Sequence, residues 1–148
     1  DRLVSMEHDP QWFGKVSKTL RRYNLTNVDY HLIELTGETT KDAESYSLQA
    51  LNGVADGSID FALVDGIFRD YCAMTILDKL RPGGLLVVDD AHRYLPSNSR
   101  SQFAIPASGS CVSKQWELFL ARIGDWRQVW LSDGIYHDAL YFKSEGGR

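Results

Sequence analysis

The stretch from Ile59 to Asp90, IDFALVDGIFRDYCAMTILDKLRPGGLLVVDD, limits what this chain can fold into more than any other. Ile59–Val64 is an apolar run that stops at Asp65-Gly66. Leu85–Val88 is a second, and it stops at Asp89-Asp90. Between them Cys72, Ala73, Ile76, Leu77 and Leu80 fall at helical spacing, and Arg81-Pro82-Gly83-Gly84 is expected to end that helix. Strand, helix and strand in this order form a right-handed crossover of a parallel sheet. Parallel strands point the same way, so Asp65, Asp89 and Asp90 are expected at one edge of the sheet. Open α/β sheets bind their ligands there.

The flanking chain extends the pattern. Arg2–Met6 reads as a short strand followed by Glu7-His8-Asp9-Pro10, where Asp9 suits a helix cap and Pro10 a first helical residue. Phe13, Val16, Leu20 and Tyr23 then share one helical face with Trp12 beside it, and Trp12 and Trp116 are both expected in the core. Val28–Leu35 reads as a second strand leaving through Thr36-Gly37-Glu38, and a helix capped by Thr39 or Thr40 runs to about Asn52. After Asp90, Ala91–Cys111 carries Pro96, Pro106, Gly109 and several serines without apolar periodicity. A loop of that length in a compact domain is either a lid or substrate segment or a mobile insertion. A helix with Trp116, Phe119, Leu120 and Ile123 on one face follows. The chain then reads as a hairpin, Arg127–Ser132 and Ile135–Lys143 around Asp133-Gly134.

All four parallel-strand exits carry an acid: Glu7, Glu38, Asp65 and Asp89-Asp90. Ionised carboxylates only accept hydrogen bonds, so this edge suits a ligand rich in hydroxyl and amino groups, such as a ribose and an adenine amine. A phosphate suits it poorly, and no GxxxxGK[ST] loop is present.

The 148 residues are expected to form a single α/β domain. The formal net charge of −4, with acids and bases interspersed, argues against a nucleic-acid partner. No apolar run reaches the ~20 residues needed to cross a membrane, and no membrane partner is expected. Cys72 and Cys111 have neither disulfide nor metal spacing and read as reduced structural thiols, which places the expected location in the cytoplasm.

Taken together, VSMEHDPQWF, IDFALVDG, LRPGGLLVVDD and the terminal WRQVWLSDGIYHDALYFK resemble the class I S-adenosylmethionine-dependent methyltransferases. The resemblance covers nearly the whole chain and implies a Rossmann-like, doubly wound, mostly parallel sheet ending in an antiparallel hairpin. VDGIFRDYC and VVDDAHRY look most like the enzymes that O-methylate small molecules or sugars. The family's first strand and glycine-rich turn have no counterpart here. That implies a domain incomplete at its N-terminus, with the edges of Arg2–Met6 and Ile59–Val64 left open. A homo-oligomer that pairs such edges stays open.

Carried over residue by residue, the resemblance implies that Glu7 accepts from the cofactor's ribose hydroxyls. It also implies that His8 or the residues following it pack near the adenine, that Glu38 approaches its amine, and that Asp65 and Gly66 line the methyl-transfer side. Transfer to a hydroxyl needs a proton acceptor. His92 is one candidate, with Asp90 orienting it or acting itself. A divalent metal such as magnesium on Asp65, Asp89 and Asp90 is the alternative, although adjacent acids on one strand normally point apart. Two other readings stay open, a non-catalytic methyltransferase-like binding domain and a nicotinamide-dependent Rossmann oxidoreductase.

Overall fold

The computed structural model describes residues 2–145 except Thr36 and Glu38, and of Ala50 the backbone alone. They form two compact units, Asp1–Gly53 and Val54–Arg148, each with its own sheet.

The first unit contains β1 (Leu3–Glu7), α1 (Pro10–Arg22), β2 (Val28–Leu32) and α2 (Thr40–Ala50). β1 and β2 pair in parallel, from Leu3 opposite Val28 to Glu7 opposite Leu32. As the sequence suggests, the Asp9 carboxylate caps α1, accepting from the amides of Gln11 at 2.7 Å and Trp12 at 3.2 Å. Thr39 and Asp42 close a capping box at the start of α2. Phe13 of α1 stacks on Tyr30 of β2 with ring centroids 4.8 Å apart. Trp12 corrects the reading that put it in the core: it is 53% exposed, and Lys15 lies over its ring. β2 also stops at Leu32, three residues earlier than its apolar run suggests.

The second unit contains β3 (Ile59–Val64), α3 (Arg69–Lys79), β4 (Leu80–Val88), α4 (Lys114–Arg122), β5 (Arg127–Ser132) and β6 (His137–Phe142). Its strand order is β3-β4-β6-β5. β3 and β4 are parallel, and β6 runs antiparallel to both β4 and β5. The crossover and the terminal hairpin therefore stand where the sequence places them. The core of this unit includes Leu86 and Val88 of β4, Ala139 and Tyr141 of β6, and Trp116, Phe119 and Ile123 from α4 and the residue after it, all buried. Edge-to-face contacts link Trp116 to Phe119 at 5.2 Å and Phe119 to Tyr141 at 5.3 Å.

Three expectations change here. Helix α3 ends at Lys79, and Leu80-Arg81-Pro82-Gly83-Gly84 opens β4 instead of forming a separate stop. The parallel register slips between Ile59 and Phe61 opposite these residues. Gly83 has φ +73°, and a Cβ on Gly84 would stand 2.8 Å from the Arg81 carbonyl oxygen. A tight irregular start to a strand uses two glycines for these reasons. Strand β3, an apolar run in the sequence, buries only Ala62 and Val64; Phe61 and Leu63 are 53% and 57% exposed. It is an edge strand, and one of its faces is covered. The segment after Asp90 is also less open than its composition implies. Ala91–Arg93 forms a 3-10 turn, Leu95 is buried, and the amides of Ile105 and Val112 donate to the carbonyls of His92 and Tyr94.

No described helix is long and apolar enough to cross a membrane.

Candidate functional site

In the second unit the crossover brings the exits of β3 and β4 together. The ladder continues one residue beyond the strands, with the Asp89 amide donating to the Val64 carbonyl at 3.1 Å. Asp65 and Asp89 therefore emerge as neighbours. Two sharp backbone turns mark the same edge: Phe68, ahead of α3, and Asp90, ahead of the 3-10 turn, both have φ +51°. Left-handed backbone is uncommon outside glycine, and it concentrates where a chain must aim a side chain.

The residue that ties this edge together is Arg69, which nothing in the strand pattern singles out. From the first turn of α3 its guanidinium donates to Asp65 Oδ1 at 2.9 Å and to Asp89 Oδ2 at 3.0 Å. It also donates to the carbonyls of Asp89 at 2.6 Å and Gly66 at 3.0 Å, and it lies over the Tyr94 ring. Its side chain is 13% exposed. The sequence signal was the spacing Asp65-x-x-x-Arg69, an acid and a base four residues apart.

Asp65 carries the consequence. Burial pushes its carboxyl above the usual range, and a hydrogen bond and like charge from Asp89 push it further. Arg69 pulls it back, and Asp90 adds a smaller push upward. Asp90 turns away from this pair. Its amide donates to Asp138 Oδ1 at 3.2 Å, and its carboxylate accepts from Arg93 at 3.2 Å. Beside it, a cavity of about 560 Å³ is lined by Asp89, Asp90, Leu131, Ser132, Asp133, Tyr136 and Asp138.

His92, the proton-acceptor candidate of the sequence, is 1% exposed. Its Nδ1 lies 3.3 Å from both the amide nitrogen and the carbonyl oxygen of His137. The ring therefore fastens the 3-10 turn to the start of β6.

The residues at the β3 and β4 exits fit a divalent metal poorly. Arg69 already occupies one oxygen of Asp65 and one of Asp89, and Asp90 is engaged elsewhere. Among the described residues no group of three or more His, Cys, Asp or Glu could hold an ion.

In the first unit Glu7 ends β1. Its Oε1 accepts from the amides of His8 at 2.8 Å and Asp9 at 2.9 Å, which fixes the carboxylate at the strand exit ahead of α1. His8 Nδ1 lies 3.2 Å from the same oxygen. Glu38 lies outside the described residues. Of the residues singled out in the sequence, Asp65, Gly66, Asp90 and His92 belong to the second unit, and Glu7 and His8 to the first.

This fold is shared with solved structures of methyltransferases. Several such structures match nearly the whole chain at low identity. An O-methyltransferase family protein from Burkholderia thailandensis aligns with 99% of the chain at 14% identity and TM-score 0.53. A methyltransferase from Geobacter sulfurreducens aligns with 97% at 12% identity and TM-score 0.57. A methyltransferase-like protein from Silicibacter pomeroyi aligns with 97% at 16% identity and TM-score 0.61. The chain spans 44%, 58% and 69% of these three, respectively. No family model matches the sequence, and no curated protein does. At these identities the likeness establishes the fold.

Proposed function

We propose that this chain is part of an S-adenosylmethionine-dependent methyltransferase that acts on a hydroxyl of a small molecule, a sugar among the candidates. The observation that carries the reading is the edge built by β3 and β4. There Asp65 and Asp89 stand side by side next to a cavity of about 560 Å³, on a fold shared with methyltransferases.

The chain's own residues suit the roles this assigns them. The Glu7 carboxylate is fixed by two backbone amides and can only accept, which suits paired ribose hydroxyls. The cavity walls offer carboxylates, the Ser132 hydroxyl and the Tyr136 ring, a lining suited to a polyhydroxylated acceptor. Adenosylmethionine, when bound, supplies an electrophilic methyl group for in-line displacement. The protein then aligns the acceptor oxygen and takes up its proton, and alignment supplies much of the rate. Asp65 is the favoured proton acceptor. Its carboxyl is held above the usual range by burial and by Asp89, which brings it closer to the working pH of a general base. Asp90 shapes the cavity wall, and buried His92 holds the turn that carries it. We further place the protein in the cytoplasm, with Cys72 and Cys111 reduced.

Calorimetric titration of the protein with adenosylmethionine and with its demethylated product tests the reading. Saturable binding of both is expected. A folded protein that binds neither ligand would overturn the assignment, and binding of a nicotinamide dinucleotide instead would favour an oxidoreductase.

A further inference from the structure

Two carboxylates at adjoining strand ends repel each other, and burial strengthens the repulsion. Left alone, such a pair keeps one proton well above the ordinary carboxylate range. Here a third group intervenes. Arg69 reaches back from α3 and donates to one oxygen of each acid and to the carbonyls of Gly66 and Asp89. The Tyr94 ring lies against the guanidinium, with 5.4 Å from its central carbon to the ring centroid. Five donors in a planar fork can serve all four acceptors at once; a lysine ammonium has three donors and no fork.

We propose that Arg69 is a positioning residue that makes Asp65 and Asp89 a single unit, holding the two carboxylates side by side at the rim. The charged groups facing Asp65 are Arg69 from α3 together with Asp89 and Asp90 from the end of β4. Asp90 in turn is paired with Arg93 of the 3-10 turn. Arg69 is the one cation among those acting on Asp65, so its removal has a definite sign. Asp65 is already raised by burial and by Asp89, and Arg69 alone opposes this. Without it the Asp65 carboxyl keeps its proton to higher pH. The proposal rests on the methyltransferase reading only for its consequence in catalysis.

Carbon-13 carboxyl titration by NMR follows Asp65 without any ligand. In Arg69→Gln the Asp65 midpoint should rise by about 1–3 pH units, the range set by an opposite charge at this distance. Arg69→Lys should rise by less, because it restores the charge without the fork. Should the glutamine variant fail to fold, the lysine variant decides alone, and a midpoint equal to wild type overturns the proposal. In methyl-transfer assays the acid limb of the kcat profile should move to higher pH in both variants, with KM for the acceptor changing less. Lost activity with an unmoved carboxyl titration also overturns the proposal, because Arg69 would then act on the ligand directly. A wild-type protein that binds no adenosylmethionine defeats the methyltransferase reading and leaves the titration to judge Arg69 by itself.

Discussion

Replacing Gly84 with alanine tests why the LRPGG segment opens β4. An added Cβ would stand 2.8 Å from the Arg81 carbonyl oxygen and 3.2 Å from both the Ile59 carbonyl oxygen and Leu80 Cδ2. Two of the three neighbours are backbone, on the two strands whose parallel register slips at this point, so the strain cannot be relieved by a rotamer change. Over-packing of this kind costs about 1–3 kcal/mol. The same residues also anchor the antiparallel partner. The Gly83 amide donates to the Lys143 carbonyl and the Lys143 amide to the Gly84 carbonyl, both at 2.9 Å. If the strands part to admit the methyl group, these bonds weaken at a net cost of about 0.5–1.5 kcal/mol each. The expected loss is therefore about 2–6 kcal/mol. Guanidinium unfolding followed by tryptophan emission reads it, because Trp116, Trp126 and Trp130 all lie in the second unit. The midpoint should fall with the slope unchanged. Gly83→Ala is the control: its nearest neighbours are the ends of the Arg81 and Glu145 side chains, and its cost comes from φ +73°, about 1–2 kcal/mol. A Gly84→Ala midpoint equal to wild type, or above that of Gly83→Ala, would refute the packing argument.

Three further outcomes are expected. Glu7→Ala should lose about 1.5–3 kcal/mol of adenosylmethionine affinity, the range for a hydrogen bond to a charged group; unchanged calorimetric affinity in a folded variant would remove Glu7 from the ribose site. Cys72 should resist alkylation at pH 8. Burial, helped by Asp70, pushes its thiol up to about 12, so its thiolate fraction is about a thousandfold below that of an unperturbed thiol, and labelling as fast as a free cysteine would contradict that environment. Methyl transfer should proceed unchanged in the presence of a chelator, since Arg69 already occupies the acids that a divalent ion would need; activity that vanishes with chelator and returns with magnesium would show that the arginine moves aside.

The parts of this protein legible in the sequence are those set by local periodicity. The crossover from Ile59 to Asp90 could be read because apolar runs of strand length end abruptly in acids, with a helical repeat between them. The terminal hairpin could be read because Asp133-Gly134 separates two strand-like runs. Where the reading failed, the deciding partner was distant in the sequence. Ile59–Val64 looks uniformly buried because residue type alone does not say whether a second layer covers Phe61 and Leu63; an edge strand and a central one are written in the same letters. The surroundings of His92 are equally hard to read, although its place after two acids marks it as a candidate base. Its burial depends on the backbone of His137, which is 45 residues away.

The candidate site divides along the same line. Acids at strand ends announce themselves, because a buried strand has few other reasons to stop in aspartate. Their charge state does not, because it depends on which cation reaches them. Arg21, Arg22, Arg69 and Arg93 are indistinguishable as letters, yet Arg69 alone stands four residues beyond Asp65 at the start of the crossover helix. That position lets one side chain span the exits of both strands, because parallel β3 and β4 run in register through Val64 and Val88 and so present Asp65 and Asp89 at the same level. A one-residue change in that register would move Asp89 along β4 and turn its side chain to the other face, out of reach of the fork. The strand start at LRPGG is thus coupled to the acids at the other end of β4: the glycines at 83 and 84 accommodate the slip in register, and the slip decides whether two carboxylates and one arginine meet.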